Sequence, residues 1–221
     1  LIKAVVFDAY GTLYDVHSIV RKCEKIYPGK GYQISQVWRQ KQLEYSWLRS
    51  LMDRYQDFWS LTGDALSYAL DELNLQYSKG TIEDILNEYL YLDLYPEVVE
   101  SLQAFRPWKL SILSNGSPKM LKELAANTNL DKHMDAIISV DSLKTYKPKA
   151  NVYNLAVENL GVNKNEILFV SSNGWDVAGS KSFGFTVGWI NRLNKPVERL
   201  GIEPNYIVSN LAELANKVKN K

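Results

Sequence analysis

A chain of 221 residues, 46% hydrophobic and 23% charged, is long enough for one large domain or a main domain carrying an insertion, with a real core. Its 26 basic and 25 acidic side chains nearly cancel and form no long cationic run, so no nucleic-acid partner is expected. The single cysteine, Cys23, excludes an internal disulfide and a Cys-rich metal site, and no stretch approaches the roughly 18 apolar residues of a membrane span.

The opening Ile2-Lys3-Ala4-Val5-Val6-Phe7 lacks the charged, long apolar and cleavage regions of a signal peptide, so a cytoplasmic protein is expected. Residues 4–7 are the first of six short apolar runs, followed by 110–113, 136–140, 167–170, 186–190 and 206–208. Such runs suit strands buried on both faces. Helical patterns at 95–105, 118–126, 150–159, 177–183 and 211–219 alternate with them, which predicts an α/β fold with a doubly wound parallel sheet.

The interval 16–92 breaks this rhythm. It is rich in helix formers and aromatics (Trp38, Tyr45, Trp47, Tyr55, Phe58, Trp59, Tyr68) and holds no convincing buried strand. Leu66, Ala69, Leu70 and Leu73 recur at helical spacing, as do Ile82, Ile85, Leu86 and Tyr89. The expected division is an α/β core of residues 1–15 and 93–221, with 16–92 as a helical cap lying as a lid over the sheet edge. Pro28-Gly29-Lys30-Gly31 reads as a loop between cap helices.

Open parallel sheets bind ligands outside the carboxyl ends of their strands. The first run ends in Asp8-Ala9-Tyr10-Gly11-Thr12 and the second in Ser114-Asn115-Gly116-Ser117. Tyr146-Lys147-Pro148 follows the third, and Ser171-Ser172-Asn173-Gly174-Trp175-Asp176 the fourth. Any one of these suits an ordinary turn or helix cap. Together they bring two carboxylates, several hydroxyls and amides, and one ammonium to a single crevice.

In that order, the four segments resemble the motifs of the haloacid dehalogenase superfamily over essentially the whole chain. The resemblance implies a Rossmann-like core and identifies the helical insertion with the superfamily's cap. Most members are magnesium-dependent phosphatases, which carry a second Asp two residues after the nucleophile and an acidic metal ligand in the fourth motif. Here those positions are Tyr10 and Ser172. The chain instead resembles the L-2-haloacid dehalogenase branch, through Asp8-Ala9-Tyr10-Gly11-Thr12, Trp38-Arg39-Gln40-Lys41-Gln42-Leu43-Glu44-Tyr45, Leu113-Ser114-Asn115-Gly116-Ser117 and the 170–176 segment.

That branch implies hydrolysis of L-2-halo acids to D-2-hydroxy acids with inversion, without metal or other cofactor. Asp8 is the nucleophile, forming an ester that water then cleaves. Negative charge moves onto a halide that no proton can usefully relieve, so cationic or N–H donors are needed around it; Arg39 and Asn115 are the candidates. Ser114, with backbone N–H groups, anchors the substrate carboxylate. Lys147 keeps Asp8 ionised or lies against the substrate. Asp176, with Ser171 and Asn173, orients the attacking water, or Asp176 simply holds Lys147. Thr12 bonds Asp8 or its loop, and Tyr153 has a supporting polar role. Tyr10, Trp175, Leu43 and Phe58 form an apolar pocket for the alkyl group. The branch further implies a homodimer through cap aromatics. His17, His133 and Cys23 read as ordinary residues. The rival readings are a magnesium-dependent phosphatase of small metabolites and a non-catalytic binding member.

Overall fold

The computed structural model describes residues 1–219. Its strands are β1 (Ala4–Phe7), β2 (Lys109–Ser114), β3 (Ala136–Ser139), β4 (Ile167–Ser171), β5 (Thr186–Ile190) and β6 (Tyr206–Val208). They form one parallel sheet in the order β3-β2-β1-β4-β5-β6. β1 is central: Val6 lies beside Ser111 on one side and Phe169 on the other. All four of its residues are buried, which is why the segment is uniformly apolar. The winding direction reverses between β1 and β4, and a crevice opens at the carboxyl ends of strands that diverge in this way. Asp8 directly follows the first of these strands, and residues 171–176 run on from the last residue of the second.

The helices are α1 (Val20–Ile26), α2 (Gly31–Leu51), α3 (Phe58–Glu72), α4 (Lys79–Asn87), α5 (Val98–Ala104), α6 (Pro118–Asn127), α7 (Ala150–Leu160), α8 (Gly174–Phe183) and α9 (Leu211–Lys219). Local chemistry sets several of their ends. Asp57 accepts from the N–H groups of Trp59 and Ser60 at the start of α3. Ser78 and Thr81 form a capping box on α4, and Ser117 caps α6 with Pro118 in its first turn.

Some expected boundaries move. The helix expected from 95 begins at Val98, because Pro96 disfavours helical geometry at Tyr95, whose N–H goes instead to the Leu13 carbonyl (3.0 Å). The third strand stops at Ser139, whose hydroxyl accepts from Asp141 N and starts a tight turn. Gly31 belongs to α2 and is not loop; the Glu24 carboxylate accepts from its N–H at 2.9 Å. α8 starts at Gly174 and not at 177, which puts Trp175 and Asp176 in its first turn.

Helices α1–α4 all lie between β1 and α5. The chain leaves and returns through paired connectors: Asp15 N donates to Asp93 O (2.8 Å), and Tyr14 bridges Leu94 antiparallel. These helices meet the carboxyl edge of the sheet, where Phe58 packs on Tyr10 and Tyr146 and Trp47 meets Trp175 edge-on.

Candidate active site

Asp8 follows β1 directly and is 4% exposed. Its Oδ2 accepts from Asn173 Nδ2 (2.7 Å), Thr12 Oγ1 (3.0 Å) and Ser171 Oγ (3.4 Å); its Oδ1 accepts from Lys147 Nζ (3.1 Å). Four donors from three loops thus hold one carboxylate. Lys147, fully buried, also donates to Asp176 Oδ2 (2.9 Å), and Tyr153 donates to Asp176 Oδ1 (2.8 Å). The result is a buried chain of contacts from Asp8 through Lys147 and Asp176 to Tyr153.

The titration of this chain follows from its burial. Burial works against the Lys147 charge, but Asp176 and Asp8 outweigh it and hold the ammonium above its ordinary pKa. Burial pushes Asp176 up to about 6, with Asp8 adding to the rise and Lys147 and Tyr153 opposing it. Tyr153 is raised well above the phenol range by burial and by the charge on Asp176, so it stays a donor.

The other expected residues fall into distinct places. Ser114 is buried beside this cluster, its Oγ accepting from Gly116 N (3.1 Å). Asn115 Oδ1 accepts from Lys147 N (3.0 Å), which leaves the NH2 of that amide as the group able to donate onward. Arg39 comes from α2 and donates to the Tyr10 carbonyl (3.4 Å). The Tyr10 ring is buried against Phe58 and Tyr89, and its hydroxyl has no hydrogen-bond partner among the described residues. A cleft of about 460 Å³ is lined by Arg39, Leu43, Asn173 and Trp175 together with His17 and Lys195. Phe58 lies off this cleft, at 1% exposure in the packing between the cap helices and the sheet.

One residue escaped the sequence reading. Arg192, just past β5, donates to Ser172 Oγ (2.8 Å) and to the Thr12 carbonyl (3.0 Å). It also pairs with Glu97 (2.7 Å) and lies 3.7 Å from the centre of the Tyr95 ring. Ser172 N in turn donates to Thr12 Oγ1 (2.8 Å), so Arg192 braces the hydroxyl that holds Asp8.

These residues do not fit magnesium, which takes about six hard oxygens in near-octahedral array. Asp8 Oδ2 and the Tyr10 carbonyl both accept from the single donor Asn173 Nδ2 (2.7 and 3.0 Å). Ser172 faces a guanidinium, and no group of three or more His, Cys, Asp or Glu among the described residues is placed to hold a metal.

The haloacid dehalogenase-like hydrolase family profile matches residues 2–184. The chain is 52% identical over 195 residues to an (S)-2-haloacid dehalogenase of Xanthobacter autotrophicus, covering 88% of this chain and 77% of that one. It is 43% identical to an (S)-2-haloacid dehalogenase of Pseudomonas putida, covering 99% and 97%. A solved structure of the Xanthobacter autotrophicus L-2-haloacid dehalogenase with chloropropionic acid covalently bound superposes with a TM-score of 0.95 at 45% identity, covering 99% of each chain.

Proposed function

The chain belongs to the haloacid dehalogenase-like hydrolases, in the L-2-haloacid dehalogenase branch, and from that premise we propose that it hydrolyses L-2-haloalkanoic acids to D-2-hydroxy acids through an ester on Asp8. The observation that carries the reading is Asp8 itself, a buried carboxylate gripped by Lys147, Thr12, Ser171 and Asn173, with Tyr10 where a phosphatase needs an acid.

In the first step an Asp8 oxygen attacks C2 from the face opposite the halogen, the carbon–halogen bond breaks, and its electron pair leaves with the halide. Arg39 and the Asn115 amide receive that charge; because both are in place beforehand, little reorganisation is needed as it develops. Ser114 and neighbouring N–H groups hold the substrate carboxylate. Leu43, Tyr10 and Trp175 wall the alkyl group and keep water from C2 during displacement.

In the second step water attacks the Asp8 carbonyl carbon. Ionised Asp176 takes one water proton and returns it to the alkoxide as the bond from that carbon to the substrate oxygen breaks, and the second water proton leaves the Asp8 carboxyl for solvent. Asp8 is restored with one oxygen from water. C2 is inverted once, so L goes to D. Asp176 also holds Lys147, which keeps Asp8 charged beside an anionic substrate.

Residues 16–92 act as the cap and residues 1–15 and 93–221 as the core. The protein works without metal, in the cytoplasm, as a homodimer. Tyr32, Leu48, Leu51, Met52 and Tyr68 on α2 and α3 and in the turn after α2 are exposed and apolar enough to support that association, which sedimentation would test.

The direct test measures halide release from L- and D-2-chloropropionate with and without EDTA, beside an aryl phosphate with magnesium. Release from the L form alone, indifferent to chelator, is expected. Magnesium-dependent phosphate release without halide would replace this reading with the phosphatase.

A further inference from the structure

The Gln42 side chain on α2 is completely buried, and its neighbours fix which way round the amide lies. Arg39 Nη1 approaches within 2.7 Å, and a guanidinium can only donate, so the amide atom it meets is the carbonyl oxygen. The Tyr89 hydroxyl donates to the same oxygen at 3.3 Å. The amide nitrogen is thereby turned toward Thr62 Oγ1, to which it donates at 2.8 Å; Thr62 can accept because its own proton goes to the Phe58 carbonyl.

A continuous line of hydrogen bonds therefore runs from the first turn of α3, through Thr62 and Gln42, to the guanidinium in the cleft. Packing α2 against α3 needs no amide; an apolar side chain would serve there without desolvating polar groups. Gln42 has the opposite profile, with both ends of the amide satisfied and one of them spent on Arg39. A neutral acceptor also has an electrostatic consequence. It fixes the guanidinium in direction without cancelling its charge, as a carboxylate at the same place would.

We propose that Gln42 is a positioning residue for the reaction: it sets the Arg39 guanidinium, with its positive charge unspent, where the departing halide develops. This rests on the dehalogenation proposed above. Thr62 anchors the amide, and Tyr89 shares its oxygen while packing at 4.9 Å from Trp38 and 5.9 Å from Tyr10.

The test compares halide release from L-2-chloropropionate and L-2-bromopropionate for wild type, Gln42→Met and Tyr89→Phe. Chloride is the poorer leaving group and depends more on the guanidinium. For Gln42→Met, kcat should fall about tenfold with the chloro substrate and about threefold with the bromo substrate, at little-changed KM. Tyr89→Phe keeps the ring packing and should show about a twofold fall in the same leaving-group order. Equal losses on both substrates, or a change confined to KM or to the thermal midpoint, would overturn the inference while leaving the proposed function intact. No halide from wild type with either substrate would overturn the proposed function, and this inference with it.

Discussion

The site has two arms built on opposite principles. The arm from the sheet, Asp8 with Lys147 and Asp176, comes from the segments that follow β1, β3 and β4, and each of its carboxylate oxygens is met by a donor. The arm from the helices is Arg39, half-exposed on α2 and steered by a neutral amide one turn away and a single backbone carbonyl. In the proposed reaction the first is locked as a nucleophile that must not wander, and the second keeps donor capacity for a halide whose charge develops only in the transition state.

The sharpest break in this contrast is Asp8→Asn. Removing the nucleophile should lower halide release by about 10⁴-fold or more while the fold persists. In the ester mechanism, a single turnover of wild type in ¹⁸O-water should label Asp8 and not the hydroxy acid, as mass spectrometry of the protein would read. Next comes Lys147→Met, which leaves two buried carboxylates without the cation between them. Breaking such a buried pair should cost about 3–5 kcal/mol of stability, measured by urea unfolding, beside the loss of activity.

The pH profile tests the same arm more gently. Only ionised Asp176 can take a proton, and burial lifts its pKa to about 6. Because the ester removes the Asp8 charge that adds to this rise, kcat should titrate at or somewhat below pH 6, falling about tenfold per unit below that point. It should stay flat above, because the two carboxylates keep Lys147 charged despite its burial. A profile flat down to pH 4.5 would remove Asp176 as the base and leave it holding Lys147. The smallest effect expected is for Arg192→Met, which removes the brace on Ser172 and Thr12 without touching Asp8. About a threefold fall in kcat should result, read by the same halide assay.

Much of this was legible in the chain. Six apolar runs located the six strands, and reading the residues after four of them led to Asp8, Ser114, Lys147 and Asp176. The rule stopped one strand short: Asn191-Arg192 follows the fifth run in the same way and names the brace. Gln42 could not be found like this. A glutamine among Gln40, Lys41 and Glu44 looks like solvated helix surface, and only the approach of α3 and Tyr89 from separate parts of the sequence marks it as interior. Element ends moved where local chemistry intervened, at Pro96 before α5 and at Ser139 closing β3, because such effects are settled by neighbours that periodicity does not register.

The connectors around the helical insertion carry a consequence of another kind. Asp15 and Asp93, some 80 positions apart by number, are hydrogen-bonded partners, as are Leu13 and Tyr95. A stretch of chain whose two ends already touch behaves like a cassette. It can be lengthened, trimmed or exchanged without asking its two attachment points to move, so new substrate ranges can be tried above the same Asp8 at little risk to the strand-end residues that hold it.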